Sequence, residues 1–192
     1  MSEHPPLHEL LERRRSTPAR LLTGPPPDPA SIERMVRLAL RVPDHGKLTP
    51  WRILLLQGKP REAFAEWLLA LRAAEQPAPS PTQLDNERQK LTSAPAILVV
   101  ISRILDTERI PEQEQLLSGG CVCFSLLLAA EAEGLGAQWL TGWPAYDPAV
   151  AQRLGLAEGE RILGFIHLGQ RRDPRPDRVR PELSLHFCEW QP

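Results

Sequence analysis

The chain is short of net charge, cysteine and aromatic residues. Across 192 residues, 23 Lys and Arg stand against 24 Asp and Glu, leaving a formal charge of -1, with three cysteines, four phenylalanines and one tyrosine. A balance of that kind supplies no overall field to recruit nucleic acid or an anionic membrane, so any anion binding has to be local. Cys121, Cys123 and Cys188 are odd in number, and the first two are spaced to point to different faces of a helix, which argues against a disulfide framework and predicts reduced thiols in a cytoplasmic protein. The opening MSEHPPLHELLERRR has no apolar leader, and no apolar run reaches the roughly 18 residues of a membrane span, so no membrane partner is expected. There is no P-loop, no G-x-S-x-G elbow, no H-E-x-x-H and no paired-carboxylate signature, which leaves kinase-like and hydrolytic chemistry without residues to perform it. No metal site is expected either, because His45 has no second histidine or cysteine at zinc spacing.

What is abundant is proline, 21 residues concentrated in connectors such as TGPPPDPA and EQPAPSPTQ, where it punctuates a single domain spanning 1–192. Leu7, Leu10 and Leu11 predict a short first helix. In DPASIERMVRLALRV, Asp28 is an N-cap and Pro29 suits the first turn. Ile32, Met35, Val36, Ala39 and Leu40 follow helical spacing as far as the stop expected at Pro43. WRILLLQG predicts a strand closed by Gly58, PAILVVISR and RILGFIHLGQ predict buried strands, and another strand falls around Gln138 to Thr141. KPREAFAEWLLALRAA returns to helical spacing, and a further helix starts at Asp147 and Pro148 and ends near Gly155. A helix from about Glu114 to Glu133 is apolar nearly all round, which places it in the centre of a core or at a subunit interface. Mixed elements of this kind imply a fold that joins helices to a sheet.

Three stretches carry candidate chemistry. LLERRRST sets planar guanidinium groups beside hydroxyl donors, a mixture suited to a phosphate, although cations at a helix C-terminus also simply complement its dipole. LRVPDHGKLTPW leaves Arg41, Asp44, His45 and Lys47 on a loop constrained by Gly46 and Pro50, either a cap for the preceding helix or a donor cluster for an electron-rich ligand. In EGLGAQWLTGW the glycines follow a helix and precede a strand, the reverse of a dinucleotide fingerprint. They leave either an ordinary helix cap or a tight backbone wall at Gly142 for a flat ligand. Phosphate donors, donors for a polar ring edge and a backbone wall together suit an organic cofactor that performs the chemistry.

Taken in order, a short helix ending in RRS, a helix leading to R-x-P-D-H and PW, a long small-residue helix, GLGAQWLTG and the final strand GFIHLG resemble the FMN-dependent nitroreductase family, and most closely its small single-domain NAD(P)H nitroreductases. The resemblance runs from about Leu7 to Gly169. It implies an α+β fold with a central mixed or antiparallel sheet flanked by helices, and a homodimer built on the long apolar central helix. It implies FMN as cofactor and NADH or NADPH as electron donor.

By the same resemblance, Arg14, Arg15 and Ser16 hold the FMN phosphate and ribityl chain, with Arg13 a solvated neighbour. Arg41 and His45 contact the flavin, Trp139, Leu140 and Thr141 lie beside the isoalloxazine, and backbone near Gly142 partners N5. Ala129 to Gly134 matches a stretch assigned to the nicotinamide nucleotide. The sequence departs from many members at Lys47 and Thr49, and Arg20 lies one residue further from RRS than the usual second arginine. Arg171, Arg172, Arg175, Arg178 and Arg180 are the candidates for a basic residue closing over the phosphate.

The implied reaction is ping-pong hydride transfer through flavin N5 to a nitroaromatic or similar small electrophilic acceptor, with no side-chain acid required and Arg41 or His45 stabilising the reduced flavin. The alternatives are a same-fold flavoenzyme with another acceptor, such as an ene-type reductase, a dehalogenase or a flavin-degrading relative, and a non-enzymatic FMN-binding protein. An RNA-binding reading of the arginine clusters is opposed by the near-neutral charge and the lack of an aromatic RNP-like strand.

Overall fold

The computed structural model describes residues 7–75, 77–105, 107–172 and 177–191. Its helices are α1 (Leu7–Arg13), α2 (Pro29–Ala39), α3 (Gly58–Ala73), α4 (Pro81–Ser93), α5 (Glu112–Ala132) and α6 (Pro148–Arg153). Its strands are β1 (Leu22–Thr23), β2 (Trp51–Gln57), β3 (Ala96–Arg103), β4 (Gly136–Leu140) and β5 (Glu160–Arg171).

Every pairing among the described strands is antiparallel, so the sheet expected as mixed or antiparallel is the latter. β2 pairs with β3 and β3 with β5, whose other edge takes β4 at Phe165–Gly169 and β1 at Gln170–Arg171. The long β5 is therefore the spine. Its residues alternate between faces, so Ile166 and Leu168 join one core with α2 and α5, while Phe165 joins the other with α3.

On the first face α5 lies across the sheet. Val122, Cys123, Leu126 and Ala130 are almost fully buried against Met35 and Ala39 of α2 and Ile166 of β5. Close approach is possible because residue 119 has no side chain, since a Cβ there would lie 2.3 Å from Leu163 Cδ1. Burial pushes the Cys123 thiol up to about 12, consistent with an inert packing residue, and all three cysteines are free.

The expectation that no segment is long and apolar enough to cross a membrane is corrected by α5, which at 21 residues qualifies by length and composition. Glutamines, serines and glycines interrupt its apolar run in sequence, yet few charges fall within it, and half of its most apolar window is packed inside this fold.

α2 begins as its cap predicts, with Asp28 accepting from the Ser31 backbone N–H at 2.9 Å, a bond that holds the Asp28 carboxyl below its ordinary range. It ends at Ala39, short of the stop expected at Pro43, and Leu40 is an exposed cap. A proline disfavours helical backbone at the residue before it, here Val42, so the break falls ahead of Pro43 itself. α4 is a helix that the apolar spacing does not predict. Its stretch is polar and carries little periodic pattern, yet Ser80 and Gln83 form a reciprocal capping box around Pro81 at its start. At its other end Arg61 of α3 donates to Leu91 O and Thr92 O at 3.0 and 3.1 Å, clamping α3 to α4.

Candidate functional site

The arginine cluster is delivered to the margin of the α5 face. After α1 the chain is sewn to β4: Thr17 N–H donates to Ala137 O at 2.9 Å, and Ala19 N–H donates to Gln138 Oε1 at 2.5 Å. Arg14 lies over the Phe124 ring of α5 with its guanidinium carbon 5.8 Å from the centroid. Arg14, Arg15 and Ser16 line a surface cavity of about 330 Å³ together with Arg178 and Arg180. Arg180 is tied down there by Asp177 at 3.3 Å and by the Glu12 carbonyl. The Arg178 backbone N–H, then Arg180, hold the Asp177 carboxyl below its ordinary range, and Arg15 adds to the effect. Arg13 pairs with Glu9 at 2.7 Å on the exposed side of α1.

Of the tail arginines, Arg178 and Arg180 thus join the cluster, while Arg171 is committed to Glu131 at 2.9 Å and to Leu135 O at 2.8 Å. Arg172 and Arg20 are exposed, and Arg175 lies outside the described residues.

The PDHG loop is rigidly built. Ser118 of α5 donates to Pro43 O at 2.7 Å and receives the Trp51 indole N–H at 3.2 Å, so the tryptophan of the PW pair fastens the loop to the central helix. Asp44 Oδ2 accepts the Thr49 N–H at 2.8 Å. Between them Gly46, Lys47 and Thr49 all have left-handed backbone, with φ of 70°, 55° and 48°. Such strain in non-glycine residues persists only where the surroundings fix it, and it collects at functional sites. His45 Nδ1 lies 2.7 Å from Glu114 Oε2 near the start of α5, and Arg41 is exposed on the same loop.

The WLTG stretch divides between the faces of the sheet. The Trp139 indole covers Gly164, where a Cβ would fall 2.0 Å from its nitrogen, and donates to Leu163 O at 3.0 Å. Leu140 and Thr141 border a cavity on the opposite face, toward α3 and α4. Gly142 follows with φ 58° and ψ -171°, a conformation open only to glycine, and turns the chain away from the sheet. Ala129 and Ala130 are buried, while Glu131 and Glu133 are engaged by Arg171 and by Arg34, so the segment from Ala129 to Gly134 is occupied with holding α5 in place.

Within one chain the cradle and the loop are separate. Phe124, beneath Arg14, and Glu114, beside His45, are ten residues apart on α5, about 15 Å along the helix axis. The sequence points to both and, by resemblance, to Arg178 and Arg180 among the tail arginines that could close over the phosphate, but it does not choose between those arginines, since nothing local links the two ends of the chain. Among the described residues there is no cluster of histidine, cysteine and carboxylates able to hold a metal.

An antiparallel sheet crossed by one apolar helix, with guanidinium groups and a hydroxyl gathered at its edge, defines an α+β protein with a donor cluster of the kind that suits an anion. A model of the nitroreductase family matches residues 11–170, and the chain belongs to that family. It is 32% identical over 161 residues to Escherichia coli YdjA, provisionally named an NAD(P)H nitroreductase, covering 84% of this chain and 86% of that protein. Its fold is that of a nitroreductase-like family protein from Bacillus cereus, with a TM-score of 0.81 at 21% identity over 98% of each chain. A Desulfitobacterium hafniense nitroreductase solved with bound FMN gives 0.70 at 20% identity, over 98% of this chain and 100% of that one.

Proposed function

We propose that the protein is an FMN-dependent oxidoreductase that passes hydride from NADH or NADPH to a small electrophilic acceptor of the nitroaromatic kind. The observation that carries this is the cradle: four arginines from opposite ends of the chain and the Ser16 hydroxyl line one cavity. That donor set fits a phosphate monoester dianion, which accepts bidentate bonds from guanidinium forks. When bound, FMN supplies hydride acceptance and donation at its N5.

This chain's own residues anchor, orient and polarise. Arg14 and Arg15, with Ser16, hold the phosphate, and Arg178 and Arg180 close over it from the tail. Arg41 and His45 contribute positive charge or a hydrogen-bond donor at the electron-rich edge of the ring, which favours the reduced state and raises its potential. The fixed backbone at Gly142 offers a wall that approaches a flat ring without a side chain between. Trp139 stands beside that turn on the α5 face, while Leu140 and Thr141 back it from the opposite face of the sheet. No side-chain proton donor is needed, because solvent reaches this margin of the molecule.

A homodimer completes this site. The described tail exposes Val179, Leu183, Leu185, Phe187 and Trp190, and α5 exposes Leu117 and Phe124 on one stripe. A Cβ at Gly120, on that stripe, would meet nothing within 4 Å, which leaves room for a second helix to approach. A two-fold axis crossing α5 near Gly120 sets Phe124 of one copy beside Leu116 of the other. It thereby brings the partner's His45 loop, which the single chain holds about 15 Å away, toward the arginine cradle.

The test is an absorption spectrum of the protein after reconstitution with FMN and desalting, before and after NADH or NADPH without oxygen. Retained flavin that bleaches is the expected result. Retained flavin that neither nucleotide bleaches makes this a binding protein, and failure to retain FMN removes the cradle as a phosphate site. Arg15→Ala should weaken FMN binding by about tenfold or more, the loss of a charge-assisted bond. Arg41→Ala should keep most of the FMN and slow its reduction.

A further inference from the structure

The arginine cradle carries an anion of its own. Asp177, from the tail segment that brings Arg178 and Arg180 to Arg14, Arg15 and Ser16, lines the cavity of about 330 Å³ with them. It also lines the adjoining cavity of about 420 Å³, which it shares with Arg13, Arg15 and Arg180. Cationic and donor groups converge on its carboxylate. Oδ1 accepts the Arg178 backbone N–H at 2.8 Å, and Arg180 Nη1 lies 3.4 Å from Oδ1 and 3.3 Å from Oδ2. The Arg178 N–H first, then Arg180 and Arg15, hold the carboxyl below its ordinary range, as expected of an anion seated among fixed positive charges. The contact with Arg180 is nevertheless loose. It is longer than the 2.7–2.9 Å usual for a charge-assisted bond, and 77% of the Asp177 side chain is exposed, so the pair opens at little cost. The other arm of the same guanidinium, Nη2, donates to the Glu12 backbone carbonyl.

Resting on the reading of this cradle as a phosphate site, we propose that Asp177 is a built-in counter-anion, which competes with the FMN phosphate for Arg180 and so sets how tightly the cofactor is held. One arm of the Arg180 fork is fixed on Glu12 and the other is contested, because a phosphate can take Nη1 only when Asp177 gives it up. A carboxylate that stays beside a phosphate dianion also repels it. Both effects act on the phosphate alone, so a flavin lacking that group neither displaces Asp177 nor suffers from it. The same carboxylate serves the empty cradle, where Arg14, Arg15, Arg178 and Arg180 would otherwise face one another as like charges. Asp177 therefore lets the tail close over the cluster at the expense of affinity for the cofactor.

Fluorescence titrations of the full, flavin-free chain with FMN and with riboflavin, which lacks the phosphate, test this. Asp177→Asn keeps the side-chain shape and an acceptor for the Arg178 N–H. It should bind FMN about three- to tenfold more tightly than the unaltered chain and leave the affinity for riboflavin unchanged. Glu12→Gln is the control, because it removes a carboxylate from the same rim while Arg180 holds Glu12 through the backbone, so its gain for FMN should be smaller. Equal gains in the two variants would mean that net charge and not the contest for Arg180 sets the affinity, which overturns the proposal. An Asp177→Asn chain that binds FMN no more tightly, or that gains as much for riboflavin, overturns it too. Each of those results leaves the phosphate site standing if the unaltered chain prefers FMN to riboflavin. An unaltered chain without that preference removes the phosphate site, and this role of Asp177 with it.

Discussion

The two faces of the sheet are packed to different standards. On the α5 face polar groups around the His45 loop are joined in a relay: Trp51 donates to Ser118, Ser118 to Pro43 O, and Gln115 accepts from Leu105 N–H at 2.8 Å while donating to Ile110 O at 3.0 Å, although Ser102 Oγ and Arg171 Nε stay unpartnered there. Bare glycines at 119 and 164 let the helix and the Trp139 ring lie directly on β5. On the α3–α4 face a void of about 110 Å³ remains, and the His167 Nδ1 and Trp143 Nε1 atoms are buried without partners. The difference is instructive because both faces are built on the same strand. Close packing is found where the strained His45 loop has to be held, and looseness where nothing but a cavity is at stake.

The sharpest way to break this comparison is Gly164→Val. Its Cβ would fall on the Trp139 indole, expel the ring and cost the bond to Leu163 O, so roughly 3 kcal/mol should disappear in urea unfolding. A neutral outcome would mean that the α5 face is no tighter than the other.

The opposite face is probed by acid. The folded His167 pKa of about 4 lies below its ordinary 6.5, so between those values the unfolded chain binds a proton that the folded chain refuses. This contribution is fully present above about 6.5 and is lost as pH falls toward 4. The loss should reach as much as about 3 kcal/mol between urea titrations at neutral and acid pH. The slope should flatten in His167→Phe.

A smaller effect is expected from Ser118→Ala, which strands the Trp51 indole and the Pro43 carbonyl. Stability should drop by about 1–2 kcal/mol, and amide exchange in residues 44–49 should quicken if the relay is what fixes the loop. Smallest is Thr49→Gly. Removing a β-branched residue from φ 48° relieves strain while adding freedom to the unfolded chain, so a gain under about 1 kcal/mol should appear as a slight rise in melting temperature.

Much of the fold is legible in the sequence because it rests on local pattern. The Asp28–Pro29 cap, the apolar spacing of Ile32, Met35 and Ala39, and the β-branched run of β3 each report their element from a few neighbouring residues. α4 escapes because its face is mostly exposed, with Leu91 its one buried residue, so periodicity is nearly silent and the capping signal of Ser80 and Gln83 stands alone. The early end of α2 escapes because a proline marks where a helix cannot continue and leaves open how soon it stops.

The candidate site divides in the same way. Arg14, Arg15 and Ser16 are adjacent in the chain, so their shared chemistry is a property of sequence, as is the order of motifs by which the chain resembles the family it belongs to. That Arg178 and Arg180 face them, that Trp139 and Leu140 turn to opposite sides of the sheet, and that His167 Nδ1 is buried without a partner were decided only by tertiary structure. Periodicity and capping are set by neighbours along the chain, whereas the partner of a buried polar atom or the closing side of a cavity is set by whichever distant segment the packing brings there.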